Sequence, residues 1–228
     1  MSHVFQVASI GGAVEARSVE IGQLVIAGWA GRDRAAVEEH IRELEEIGVA
    51  PPSSTPVFYR TAADGLTQAG GLQMLGPDTS GEVETVLIAS GEDILVAVGS
   101  DHTDRKLESH SIAASKQVCA KPVSVEAWRL VDVEDHWDEL VLRAYATIDG
   151  ERVLYQEGPV SGLLHPRELF EKYAGSERLA AGTAMFGGTL AVHGGIRPGT
   201  AFECELHDPR LGRSITHSYA IETLPVVS

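Results

Sequence analysis

Apolar residues along this chain fall mostly into short runs punctuated by glycine, and one early segment departs from that rhythm. In RDRAAVEEHIRELEEIG (32–48), Val37, Ile41, Leu44 and Ile47 recur at intervals of three and four, which predicts an amphipathic helix with Gly48 as its C-cap. The run before it, EIGQLVIAG (20–28), reads as a strand. Strand-like runs follow at 56–60, 82–89, 94–99, 139–146 and 152–156, and again near 183–187, 201–207 and 214–222. Asp149-Gly150 is a hairpin turn between two of them. Helical patterns return at 104–115 and 166–174, and VAPPSSTP (49–56) is short enough to be a loop. Strands dominate after residue 50, so the pattern predicts an α+β, mainly β fold with a few helices as covers.

Composition narrows the function classes. The 228 residues suffice for a sizeable core, and the longest apolar runs fall well short of a membrane span. The opening MSHVFQVASI has neither a basic n-region nor an apolar h-region, so no secretory signal is expected and the protein reads as cytoplasmic, with no membrane partner. Cys119 and Cys204 stand far apart without CxxC spacing and read as two reduced, mostly buried thiols. The formal net charge of −15 argues against nucleic acid as a partner, because phosphate binding needs clustered Lys and Arg. A small anionic ligand is still admissible, since a metal ion or local cations can invert the field inside a cleft.

Three acids carry the candidate chemistry. In an extended strand, residues two apart share a face at about 6.6 Å, so Glu82 and Glu84 project together at the start of the 82–89 run. Such a pair is ordinarily a solvated face. Here, however, the next strand ends in Gly99-Ser100-Asp101, and Asp101 joins the pair if the two strands are neighbours. Three carboxylates suit a hard divalent cation such as Mg²⁺ and leave open positions for a chelating ligand. A second ExE, Glu203 and Glu205, lacks a comparable third acid and reads as a solvent face. Asp104 reads as the N-cap of the following helix. In the first helix His40 and Glu43 lie three apart on one face. They are either a boundary histidine with a surface partner or a histidine oriented by a carboxylate to take a proton from water.

In order along the chain, "HIRE" (40–43), "PVF" (56–58), "EVE" (82–84), "SDHTDR" (100–105), "SK" (115–116) and "KPVS" (121–124) resemble the fumarylacetoacetate hydrolase superfamily, in its short single-domain branch. "DGERVLYQEG" (149–158), "LLHPRELF" (163–170) and "MFGGTLAVHGGIRPGTAFECEL" (185–206) continue the likeness, which spans roughly residues 20 to 222. The resemblance implies one domain over 1–228, with N-terminal strands and a lid helix in 1–50 and a mixed β-roll catalytic core in 51–228. It implies a homodimer, and Mg²⁺ or Mn²⁺ held by Glu82, Glu84 and Asp101. His40 and Glu43 become the lid dyad, Lys116 the active-site lysine, Arg105 the arginine of the aspartate turn and Thr189 a substrate contact. Arg60 stands where relatives often carry a substrate-side lysine. Lys116 also has a case of its own, because lysine supplies only 4 of the 18 basic residues and a surface would accept arginine equally well.

The chain departs from the family pattern in several places. Arg105 and Lys116 are closer together than usual. The family's K-S-F-D is Lys116-Gln117-Val118-Cys119, its Gly-Thr-Pro is Gly188-Thr189-Leu190, and His102 replaces an apolar or small residue.

The activity expected from these parts is metal-dependent hydrolysis of a C–C bond in an acylpyruvate-like 2-oxo acid, through a metal-stabilised enolate. His40 would activate the water and Lys116 would neutralise developing charge. Decarboxylation, isomerisation or dehydration on the same site is the first alternative. A non-catalytic ligand-binding β-domain is the second, and three intact acids argue against it.

Overall fold

Thr-Val-Leu-Ile-Ala (85–89), Ile-Leu-Val-Ala-Val (94–98) and Leu-Val-Ile-Ala (24–27) are apolar at almost every position, which suits strands covered on both faces. In the computed structural model, which describes residues 1–46 and 51–227 apart from the side chains of His40, Glu43 and Leu44, these runs form the fifth, fourth and seventh strands of one mixed sheet. Its eight strands run in the order Val14–Glu20, Ser2–Ala8, Glu126–Arg129, Asp93–Ser100, Val83–Ser90, Thr183–Phe186, Gln23–Gly28 and Val57–Thr61. A second sheet of five strands has the order Glu151–Pro159, Val141–Ile148, Ala201–Asp208, Arg213–Leu224 and Gly71–Leu75.

Strand periodicity sorts the core into two clusters. Val83, Leu87, Val96 and Val98 face the five-stranded sheet and pack with Leu142, Phe202, Leu206 and Tyr219. Val86, Ile88, Leu95 and Ala97 face the other way and pack with Phe5, Val7, Val19 and Phe186, so the large sheet curls round onto its own inner face. The fold is mainly β with few helices, as expected from the sequence pattern. Gly99 marks a tight point inside the curl. A Cβ there would lie 2.5 Å from the Pro122 carbonyl oxygen and 2.8 Å from Val86, so no other residue fits without moving backbone.

Most of the strands read from the sequence are present within a residue or two, and the helix Pro166–Ala174 has the predicted bounds. The 20–28 strand is shorter, because Ile21 and Gly22 turn to bond Met1 and Gly182 and the strand begins only at Gln23. The 104–115 helix is two short ones, Arg105–Glu108 and Ile112–Gln117. Ser111 takes an extended backbone and caps the second through Ala114 N–H. Four strands longer than two residues escape the pattern, Ser2–Ala8, Val14–Glu20, Gly71–Leu75 and Glu126–Arg129, as do the two-residue strands. The first helix runs over Arg34–Glu46; its expected cap, Gly48, lies outside the described residues. Among the described residues no helix is long and apolar enough to cross a membrane. Both cysteines are buried and free.

Candidate metal and catalytic site

The antiparallel register Val83↔Ser100 and Glu84↔Gly99 puts Glu82 opposite Asp101 at the end of the ladder. Asp101 N–H donates to the Glu82 carbonyl at 3.0 Å. By the alternation of the strands all three acids lie on the inner face of the curl, in line with Val86, Ile88, Leu95 and Ala97. Carboxylate oxygens of Glu82, Glu84 and Asp101 lie within 4.8 Å of one another. Among the described residues they are the one His/Cys/Asp/Glu group with metal-ligand spacing.

Three cations surround the acids. Lys116, on the last turn of Ile112–Gln117, ion-pairs with Asp101 Oδ2 and lies 3.5 Å from Glu82 Oε2. Arg105 Nη2 lies 3.0 Å from Glu82 Oε1, while its other nitrogens bond Glu108 at 2.9 Å and Ser80 at 2.7 Å. Lys121 lies 3.1 Å from Asp101 Oδ1 and donates to the His102 carbonyl at 2.5 Å. Solvent reaches the cluster narrowly: the Glu82 side chain is 15% exposed and that of Lys116 7%, while Asp101 is fully buried.

The electrostatics follow from burial and charge. Burial, then repulsion from Asp101 and Glu82, pushes the Glu84 carboxyl well above the usual carboxylate range, against Lys116 and a hydrogen bond from Gly188 N–H. Burial would raise Asp101 as well, but Lys116 and Lys121 overcome it and hold its carboxyl low. Burial works against a charged Lys116, and its acidic neighbours outweigh that, so its ammonium is firmly protonated. Burial pulls Lys121 down, with Asp101 offsetting part of the effect.

These residues fit a divalent ion. Three carboxylates of the hard-oxygen type converge within 4.8 Å, and Asp101 Oδ1 meets the Lys121 ammonium at 3.1 Å. Converging carboxylates repel one another unless positive charge bridges them, and a hard divalent ion prefers such oxygens.

The remaining candidates divide. Thr189 lies beside the cluster: its hydroxyl donates to the Val83 carbonyl at 2.9 Å and accepts from Gln156 Nε2 at 2.8 Å. Arg60 is not brought in. Alternation along Val57–Thr61 sends it outward to Tyr173 OH at 3.2 Å, with Phe58 on the same ring. Tyr59 takes the inward place, its ring centroid 5.9 Å from Lys116 Nζ, and burial raises its hydroxyl pKa. His40 and Glu43 sit on the Arg34–Glu46 helix, but their side chains lie outside the described residues. Asp104 is the N-cap expected of it, accepting from Leu107 N–H at 2.9 Å. Glu203 and Glu205 bond Arg152 at 2.8 Å and Arg143 at 2.6 Å on the outer face of the small sheet; Arg143 also bonds Glu157 at 2.6 Å, and among the described residues these acids form no group with metal-ligand spacing.

Sequence reasoning missed Lys121, Tyr59, Gln156 and the His102 chain. Gln156 is fully buried and splices three segments, accepting from Val83 N–H at 3.0 Å and donating to Thr189 and to the Leu190 carbonyl at 2.6 Å. His102 Nδ1 contacts Tyr219 OH at 3.0 Å, Tyr219 donates to Ser100 Oγ at 2.9 Å, and Ser100 accepts from Glu82 N–H at 3.1 Å. Burial, then the charges of Lys121 and Arg105, lowers His102 to about 3, so the ring is neutral. For Tyr59 and Gln156 the available signal was a polar group within a strand that carries apolar residues; Lys121 and His102 lie outside the longer strands.

The protein Cg1458 superposes with a TM-score of 0.66 at 14% identity, over 98% of this chain and 100% of that one. The structure of 2-keto-3-deoxy-D-arabinonate dehydratase complexed with magnesium and 2,5-dioxopentanoate superposes with a TM-score of 0.63 at 12% identity, over 92% of this chain and 77% of that one. No curated protein matches the chain. The shared architecture is the fumarylacetoacetate hydrolase fold that the ordered motifs imply. Within it, the chain belongs to the DUF2848 family, whose model, described as a protein of unknown function, matches residues 27–219.

Proposed function

We propose that this protein is a divalent-metal-dependent enzyme acting on small 2-oxo acids, and that its reaction is hydrolysis of a C–C bond in an acylpyruvate-like acid. The observation that carries the reading is the convergence of Glu82, Glu84 and Asp101, with an ammonium, Lys116, between two of them. Mg²⁺ or Mn²⁺ held by the three carboxylates would polarise the carbonyl of a 2-oxo acid and offset negative charge developing on its oxygen.

The side chains supply the rest. Lys116 holds a fixed positive charge beside the acids, to act against a substrate carboxylate or a developing oxyanion. Gly188 N–H orients Glu84 through a 2.7 Å hydrogen bond, and Arg105 orients Glu82. Narrow access keeps bulk water from screening these charges. His40, oriented by Glu43, is the proposed base that takes a proton from the attacking water.

Dehydration of a 2-keto-3-deoxy acid is the second reading. It is favoured by the likeness to the dehydratase that binds magnesium and 2,5-dioxopentanoate, and it needs the same ion and lysine but no attacking water. A panel of acylpyruvates, 2-keto-3-deoxy acids and β-keto 2-oxo acids, assayed with Mg²⁺ and with EDTA, tests both readings. Chelator-sensitive release of pyruvate from an acylpyruvate is the expected result. Turnover that EDTA leaves untouched would overturn the metal-dependent reading, and turnover of the deoxy acids alone would replace hydrolysis with dehydration.

A further inference from the structure

Val83 stands between two of the candidate ligands, so its peptide groups govern how the Glu82 and Glu84 side chains leave the strand. The flanking residues bond across to Asp93–Ser100 and the residue after it: the Glu82 carbonyl accepts from Asp101 N–H at 3.0 Å, and Glu84 pairs with Gly99. Antiparallel strands bond across at alternate residues, so Val83 turns its own N–H and carbonyl to the opposite side. There the neighbouring strand Thr183–Phe186 pairs only with Val86, Leu87 and Ile88, and the last bond runs from Gly187 N–H to the Thr85 carbonyl at 3.0 Å. Both Val83 groups thus stand beyond the end of that ladder, in a fully buried residue, where an unpaired peptide group is strongly unfavourable.

Two side chains take the place of the missing strand. Gln156 Oε1 accepts from Val83 N–H at 3.0 Å, and Thr189 Oγ1 donates to the Val83 carbonyl at 2.9 Å. Gln156 Nε2 then donates to Thr189 Oγ1 at 2.8 Å and to the Leu190 carbonyl at 2.6 Å, which closes a ring of bonds. The partners fix the amide, because its oxygen must face an N–H and its nitrogen a carbonyl. They fix the hydroxyl as well: Thr189 has one proton to donate, and it goes to Val83. Gln156 is aimed inward by a β-bulge. Ala144 pairs with Gln156 and Tyr145 with Leu154, so Tyr155 is an extra residue in Glu151–Pro159. Tyr155 and Gln156 are both fully buried, where strict alternation would bury only one of them.

We propose that Gln156 and Thr189 form a clamp that holds the Val83 peptide groups and so presets the separation of the Glu82 and Glu84 carboxylates for the ion. This rests on the metal-dependent reading above and deepens it. Both are positioning residues rather than catalytic ones, since they touch the strand and not the ion or its ligand. Thr189 thereby takes a role different from the substrate contact that the resemblance implies, because its only proton is already committed to Val83. What the clamp supplies is preorganisation. Two carboxylates on one strand face repel each other, and the end of a strand with no backbone neighbour on one side would splay under that repulsion. A buried amide that bonds the backbone between the two acids resists the splaying and keeps the site shaped for an ion, as groups behind metal ligands do.

Calorimetry with Mn²⁺, on variants shown by circular dichroism to be folded at the temperature used, tests this without any assay of turnover. Thr189→Val keeps the shape of threonine without its hydroxyl, and Gln156→Met keeps the length of glutamine without its amide. Each should bind Mn²⁺ about 10–100-fold more weakly than wild type, the usual effect of losing a group that orients a metal ligand. Thr189→Ser, which keeps the hydroxyl, should restore most of that affinity. A purely structural role would lower the melting temperature and leave the Mn²⁺ affinity of the folded protein unchanged. That result in either variant overturns the proposal, as does a Thr189→Ser protein that binds as weakly as Thr189→Val. If Thr189 served a ligand directly, Thr189→Val would bind Mn²⁺ like wild type and lose affinity for oxalate alone, which overturns the proposal too. Should Gln156→Met not fold, the Thr189→Val and Thr189→Ser pair decides the matter. Absence of Mn²⁺ binding in wild type, or binding that survives Glu84→Gln, is seen without touching the clamp; it overturns the site reading itself, and the clamp with it.

Discussion

The backbone N–H of Gly188 donates to Oε2 of Glu84 at 2.7 Å, joining the loop after Thr183–Phe186 to the carboxylate strand beside it. Gly188 has φ of +99°, and a Cβ there would stand 2.9 Å from that of Ala30. The close approach that delivers this N–H therefore requires glycine. The Gly188→Ala variant should lose about 1–3 kcal/mol of stability, the usual cost of such backbone strain, and should bind Mn²⁺ more weakly because the N–H is displaced from Glu84. Urea unfolding and calorimetry read the two effects. A variant that is destabilised yet binds Mn²⁺ as well as wild type would show that this hydrogen bond does not orient Glu84 for an ion.

The second prediction concerns acid stability. His102 titrates at about 3 in the folded chain, because burial, then Lys121 and Arg105, opposes its charging, against about 6.5 when unfolded. Between those values the unfolded state binds the extra proton, so stability rises with pH across the window and is lost as pH falls from about 6.5 toward 3, by up to about 1.4 kcal/mol per pH unit. A cation on Asp101 would push in the same direction. His102→Gln should flatten this part of the stability profile measured by urea unfolding. An unchanged slope would assign the acid sensitivity to other groups.

Glu203 and Glu205 repeat the spacing of the metal pair but are held by Arg152 and Arg143 on an open sheet face. Replacing both with glutamine should leave Mn²⁺ stoichiometry and affinity unchanged. Stability should change by no more than about 1 kcal/mol per exposed pair. A lost binding event in the double variant would place an ion on the wrong face of the protein.

The fourth prediction is for the lid dyad. His40→Ala should lower C–C hydrolysis by about 10²–10⁴-fold, the range for a lost general base, and should leave Mn²⁺ affinity unaltered. Decarboxylation on the same site, which needs no activated water, should fall less. Loss of Mn²⁺ binding in this variant would make His40 a ligand, and full hydrolysis would make it a boundary residue of an amphipathic helix.

The sequence by itself carried the strand-rich fold, the helix Pro166–Ala174 and the three acids. The acids could be read because period-two alternation puts Glu82 and Glu84 on one face, and because a strand-end acid needs only the neighbouring strand to meet them. The ordered motifs then supplied Lys116, Arg105 and Thr189. Tertiary structure decided everything that depended on which segments meet. Arg60 and Tyr59 are adjacent in sequence, and only the packing of Val57–Thr61 against the Pro166–Ala174 helix on one side and Lys116 on the other shows that Tyr59 faces inward. Lys121 stands in the KPVS segment with no role legible there, and only the pairing of its short strand with Leu66–Thr67, next to the Gly99–Val123 bridge, brings it to Asp101. Gln156 and Tyr219 come from the small sheet, and their hydrogen bonds reach Val83 and Ser100 only because the two sheets pack face to face. Local periodicity reports which way a side chain points relative to its own neighbours. What it meets there is set by long-range packing, which no short stretch of sequence encodes.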